Sequence, residues 1–234
     1  MGKSVNHNDR PSKAMRSNPV AYPHTLSLPI LIVGVGYLAG YVLFDWISFI
    51  EPYVPFGITP WNPGTGLSFV LVLLFGRRMI PLLFVGPLLS DLVQNQLPPL
   101  WVVELSFVVL VGGGYSAALV FLLRPSMRFD PALSSMRDLV LLMLVAVVSA
   151  AFVASSYVAV TILAGLLPIK DFAAATLRYW VGDVIGIMVV APFALIALTR
   201  KKMLRLSLET LLQFAAIIGA LALVFGYANE TGMK

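Results

Sequence analysis

In "RYWVGDVIGIMVVAPFALIALTRKK", residues 178–202, Arg178, Tyr179, Trp180 and Asp183 head an apolar stretch long enough to cross a bilayer. Other apolar runs carry similar residues near one end: Trp61, Asn62 and Thr65 open one, Asp91 and Asn95 close another, Glu104 lies just inside a third, and Asp45 ends the first. A charge in hydrocarbon costs at least ~2.5–3.5 kcal/mol even on the lenient insertion scale, so these side chains require partners, a cavity or a ligand. One arginine facing three or four carboxylates leaves net negative charge. If they lie together, a bound cation, an amine ligand or a protonated carboxyl is needed to balance it. The chemistry on offer is binding. No serine–histidine pair, matched aspartate motifs or histidine cluster stands in the apolar runs, so no catalytic residue is expected. The chain has no cysteine, which excludes disulfides and thiolate metal sites, and His7 and His24 both precede the first apolar run. No cofactor or metal is implied.

The elements that position these residues are membrane helices. The chain is 59% hydrophobic and 12% charged, which no water-soluble core of this size accommodates. Residues 1–24 are polar and basic and read as a disordered arm. "MGKSVN" lacks the serine or threonine that myristoylation requires at position 6. Apolar runs follow at about 26–46, 59–76, 79–97, 100–123, 138–166, 174–199 and 207–228. The expected fold is therefore all-α, a polytopic bundle of seven transmembrane helices over residues 25–234. The first run is longer than a signal-peptide core and no small-residue cleavage site follows it, which favours a retained anchor.

Alternating the loops between two sides collects Lys3, Arg10, Lys13, Arg16, Arg77, Arg78, Arg124, Arg128, Arg137, Arg200, Lys201, Lys202 and Arg205 on one side. Lys170, Arg178 and Lys234 fall on the other. By the positive-inside rule the amino terminus is cytoplasmic and residue 234 faces outward, as in a multi-pass protein of a bacterial inner membrane. The net charge of +5 thus reports topology, and nucleic acid is not an expected partner. Small residues at Gly36 and Gly40, Gly112–Gly114 with Ala117 and Ala118, and Ser149–Ala151 with Ala154–Ser156 suit close helix packing. "GVGYLAG" is packing of this kind rather than a nucleotide loop, since no strand precedes it. Pro29, Pro63, Pro81, Pro87 and Pro192 each remove a backbone donor and permit a kink.

With a rise of 1.5 Å per residue, Asp45, Trp61, Asn62, Thr65, Asp91, Asn95, Glu104, Arg178, Tyr179, Trp180 and Asp183 all fall in the outer half. Polar side chains from five helices at one depth suggest an outward pocket for a small ligand. The competing structural reading is a buried ion pair of Arg178 with Asp91, Glu104 or Asp183, with Trp61, Trp101 and Trp180 in an aromatic belt.

Two stretches together resemble a known family. "WNPGTGLSFVLVLLFGRRMIPLLFVGPLLSDL", residues 61–92, looks like the first signature of the first type of bacterial membrane-associated sensor domain, the MASE family. "RYWVGDVIGIMVVAPFAL" is similar to its second, Trp-x-Gly-Asp-x-x-Gly followed by Ala-Pro. The pattern falls on Trp61, Pro63, Gly66, Gly76, Pro81, Gly86, Trp180, Gly182, Asp183, Gly186 and Pro192, and the resemblance extends over about residues 26–228. It implies a sensory input module, usually of eight spans, joined to a cytoplasmic histidine kinase, diguanylate cyclase or phosphodiesterase. It also implies homodimers formed through that output domain, and contact with membrane lipid and a small ligand or membrane partner protein. The seven runs here depart from eight, so either a further helix follows residue 234 or the count is off by one. The parallel starts at Trp61 and Trp180 also suggest a faint internal repeat. The alternative function is a substrate-binding membrane subunit of a small-molecule transporter, whose basic inner loops and outer pocket would look alike.

Overall fold

The computed structural model describes residues 29–48, 61–94, 97–98, 100 and 101–199. The amino-terminal arm, Asn95 and the seventh apolar run at 207–228 lie outside the described residues. Among those described there are six α-helices: α1 (Ile30–Ser48), α2 (Pro63–Phe75), α3 (Leu82–Gln94), α4 (Trp101–Leu122), α5 (Met136–Leu163) and α6 (Phe172–Thr199). Each coincides with one of the first six expected spans.

Two of them are shorter than expected. Helices α1, α4, α5 and α6 are long and apolar enough to cross a bilayer, whereas α2 and α3 have 13 residues each. At 1.5 Å per residue that is about 20 Å against a hydrocarbon core of about 30 Å. The limits of α2 are set locally. Asn62 caps its amino end by accepting from the Thr65 N–H, and Pro63 occupies the first turn, where its missing donor costs nothing. Gly76, at φ 83°, takes the chain out of the helix in a conformation unfavourable to a side chain. Of the five prolines marked as possible kinks, Pro29, Pro63 and Pro81 stand at helix starts; only Pro87 and Pro192 lie inside helices, α3 and α6.

Short α2 is the centre of the bundle. Pro63–Gly66 and Ser68–Leu73 are buried, so its apolar surface is covered on nearly every side, chiefly by α6 and α1. Helices α6, α1 and α4 pack against it, α5 packs on α4 and α6, and the longer helices turn Leu31, Trp46, Val102, Leu105, Val148 and Phe193 outward. The core runs through Phe69, Val72, Leu119, Leu122, Val153 and Leu195. Gly112 admits the Phe84 ring and Gly114 the Val153 methyl, which brings α4 against α3 and α5. Gly36 and Gly113 face open space, so these two glycines of the expected packing surfaces make no close approach. Hydroxyls of Ser149, Ser155, Thr161 and Thr199 donate to carbonyls three or four residues earlier in their own helices, which satisfies them without a partner helix.

The helices share ends in a definite way. Asp45 of α1 meets Ser90 and Gln94 of α3, and Asn62 before α2 meets Gly182 of α6. At the opposite end Arg77 donates to the Leu123 carbonyl, and Ser135 caps α5 at the Asp138 N–H. Polar side chains of the first group all gather at what is here termed the Asn62 end.

Candidate functional site

The two sequence signatures meet face to face. The backbone N–H of Asn62 donates to the Gly182 carbonyl at 3.1 Å, stitching the start of α2 to the middle of α6. No side chain fits between them. A Cβ on Gly186 would run into the Asn62 carbonyl, and one on Gly66 would run into the Gly186 carbonyl. Gly64 and Gly86 hold the Tyr41 ring in the same layer, at 3.1 and 3.3 Å from where their Cβ atoms would stand.

Asp183 sits in this junction with only 1% of its surface exposed. Its carboxylate accepts from the Asn62 side-chain amide at 2.8 Å, from the Thr65 hydroxyl at 3.4 Å and from the Tyr115 hydroxyl. Three donors, two from the start of α2 and one from α4, converge on one acidic group. Such a set offsets the desolvation that a buried carboxylate would otherwise suffer. It also lies by the amino end of α2, whose unpaired N–H groups favour negative charge. The charge-balancing logic of the sequence pointed to arginine; the structure meets Asp183 with neutral donors. Tyr115 was not singled out from sequence, because a tyrosine within "VGGGYSAA" is indistinguishable from core filler.

Closer to the Asn62 end lies a second group. Asp45 accepts from Ser90 at 2.6 Å and Gln94 at 2.7 Å, and Gln94 also donates to Ser90 at 2.8 Å. Half-buried Asp91 is near enough to Glu104 and Asp45 to feel both charges. Glu104, 3% exposed, has an Oε1 with no hydrogen-bond partner. Tyr157 is within electrostatic range of Asp91 and Glu104, and its ring lies between Phe107 and Tyr179, with centroids at 4.9 and 5.7 Å. Tyr41 is in range of Asp45, Asp91 and Asp183, so the two groups are neighbours.

The residues marked in the sequence therefore separate into three sets. Asn62, Thr65 and Asp183 form the junction; Asp91, Glu104 and Tyr179 belong to the acidic, aromatic group; Trp61 and Arg178 are half-buried beside them in sequence. Trp180 turns elsewhere: its indole N–H donates to the Val147 carbonyl of α5 at 3.0 Å. It fastens two helices. Trp180→Phe is expected to lower stability by about 1 kcal/mol, the usual net worth of one such bond; a thermal melt in detergent checks this. Ser90, Gln94, Phe107 and Tyr157 were not marked from sequence. Among the described residues no group of three or more His, Cys, Asp or Glu is placed to hold a metal ion.

Apolar helices wrapped around a central polar junction define a polytopic membrane domain. Residues 30–229 match the MASE1 family, and the chain belongs to it. MASE1 domains are membrane-associated sensory inputs of signalling proteins. Searches of curated proteins and of solved structures return no match.

Proposed function

We propose that this domain senses a small ligand or a membrane stimulus through a polar pocket at the Asn62 end, which faces outward, and relays it to a cytoplasmic histidine kinase or cyclic-di-GMP output domain. The observation that carries this reading is that Asp91 of α3 lies within electrostatic range of Asp45 of α1 and Glu104 of α4, and Tyr41, packed on Gly64 of α2, lies within range of Asp45, Asp91 and Asp183. A ligand there touches α4, whose Tyr115 reaches the junction, and α1, whose Tyr41 ring packs on Gly64 of α2. It changes the output to the extent that it binds one helix arrangement better than another. The basic residues Arg77, Arg78, Arg124, Arg128 and Arg137 at the opposite end fit a cytoplasmic face in a bacterial inner membrane.

The natural absence of cysteine makes the test direct. Single cysteines at Asp91 and Gln94 should react with an impermeant maleimide in intact cells, while one at Leu105, exposed on α4 one residue beyond Glu104, should not. Alkaline phosphatase fused after Leu166 should be active and after Met127 silent. Protection of 91 and 94 would remove the pocket, and the reverse fusion pattern would invert the topology.

A further inference from the structure

We infer that the Asp91–Glu104 carboxylates and the Phe107–Tyr157–Tyr179 rings form a binding site for a small organic ammonium ion. The inference rests on the outward-pocket reading above and specifies its ligand class. Of Asp45, Asp91, Glu104 and Asp183, Asp45 and Asp183 are engaged by hydroxyl and amide donors. Asp91 and Glu104 differ. The described residues give Asp91 no hydrogen bond or ion pair, and Glu104 Oε1 is buried with no donor within reach. A buried acceptor without a donor is disfavoured, and the like charge of half-buried Asp91 within electrostatic range of Glu104 adds to the cost. Glu104 stands in the first turn of α4, where the helix end favours its negative charge and so preserves the attraction for a cation.

The surroundings select the kind of cation. A metal ion asks for several oxygen ligands converging within bonding distance, a grouping not found among the described residues. Phe107, three positions after Glu104 on α4, shares its helix face, and Tyr157, within electrostatic range of both carboxylates, packs against Phe107 and Tyr179 there. Aromatic faces attract ammonium groups and bury their attached carbon atoms, which a strongly hydrated inorganic ion does not reward. An alkylammonium can therefore donate to Glu104 Oε1 and Asp91 while its hydrocarbon lies against the rings.

The test uses the full 234-residue chain in phosphatidylcholine nanodiscs, titrated at constant ionic strength with 1,4-diaminobutane, tetramethylammonium or sodium chloride, with melting temperature and calorimetry as readouts. 1,4-Diaminobutane should raise the melting temperature saturably, tetramethylammonium, which reaches the rings but has no N–H to donate, should do so more weakly, and sodium should not. Glu104→Gln and Asp91→Asn keep side-chain shape and should weaken binding by about tenfold to a hundredfold, the worth of a hydrogen bond to a charged group. Tyr157→Leu should weaken it several-fold. Ammonium binding that survives both carboxyl substitutions unchanged overturns the site. Absence of ammonium binding, with a cysteine at 91 still labelled from outside, overturns the ligand class and leaves the pocket standing. Absence of both removes the pocket together with the inference.

Discussion

Gly186→Ala should cripple the domain, with a loss on the order of 3 kcal/mol or more, at or beyond the usual upper range for an overpacked site. The new methyl would meet the Asn62 carbonyl and the Pro63 nitrogen, which are backbone atoms fixed at the start of the central helix. A flexible side chain could swing aside; a capped helix start cannot. Relief requires α2 and α6 to separate, and that breaks the Asn62 N–H bond to Gly182 and pulls Asn62 and Thr65 away from Asp183. Gly66→Ala presses on the same seam from the other side, against the Gly186 carbonyl and Val190. Gly36→Ala and Gly113→Ala are the controls, since a Cβ at either meets nothing within 4 Å. Both should be neutral or gain up to about 1 kcal/mol from helix propensity. Size-exclusion profiles and thermal melts of the four variants in detergent provide the comparison. A Gly186→Ala protein that melts with the parent would show that the two signatures do not meet as described.

How much of this was legible in the sequence depends on what hydrophobic pattern can encode. Apolar length located six helices, because a bilayer requires long uncharged runs wherever the chain crosses. It could not rank them. Lipid-facing and core-facing surfaces are equally apolar in a membrane protein, so α2 "PGTGLSFVLVLLF" and α1 "ILIVGVGYLAGYVLFDWIS" look alike, although α2 is nearly enclosed and α1 presents Leu31, Val35 and Trp46 outward. The lengths of α2 and α3 were overestimated because the apolar residues between Gly76 and Pro81, Met79 and Ile80, carry the apolar pattern on without continuing either α-helix. Expensive residues were the better guide. Asn62, Thr65, Asp91, Glu104 and Asp183 stood out by the cost of placing them in hydrocarbon, and they do gather at one end. What sequence could not supply was pairing. Tyr115 reaches Asp183 across 68 positions and Gln94 reaches Asp45 across 49, while Trp180, three residues before Asp183, points to α5.

Replacing Asp183 by leucine should cost several kcal/mol, and the reason lies in its donors. The substitution leaves the Asn62 amide, the Thr65 hydroxyl and the Tyr115 hydroxyl facing an alkyl group in a site with 1% exposure. Each stranded buried donor costs about 1–3 kcal/mol, so the sum is several kcal/mol and the domain should fail to accumulate. Asp183→Asn behaves differently. It keeps the volume and one acceptor oxygen for Asn62 and Thr65, and its new amide can donate to the Tyr115 oxygen once that hydroxyl rotates from donor to acceptor. Less than half of the leucine loss is expected, enough for the variant to be purified and melted. Tyr115→Phe removes one donor and should cost about 1.5–3 kcal/mol, as a bond to a charged acceptor does. In the Asp183→Asn background the phenol is no longer serving a carboxylate, so the same Tyr115→Phe change should cost about 1 kcal/mol less. That difference, read from a double-mutant cycle of melting free energies, is the coupling between the second signature and α4. Additive energies across the cycle would mean that Tyr115 and Asp183 are neighbours without a bond between them, and the junction would then be held by α2 and α6 alone.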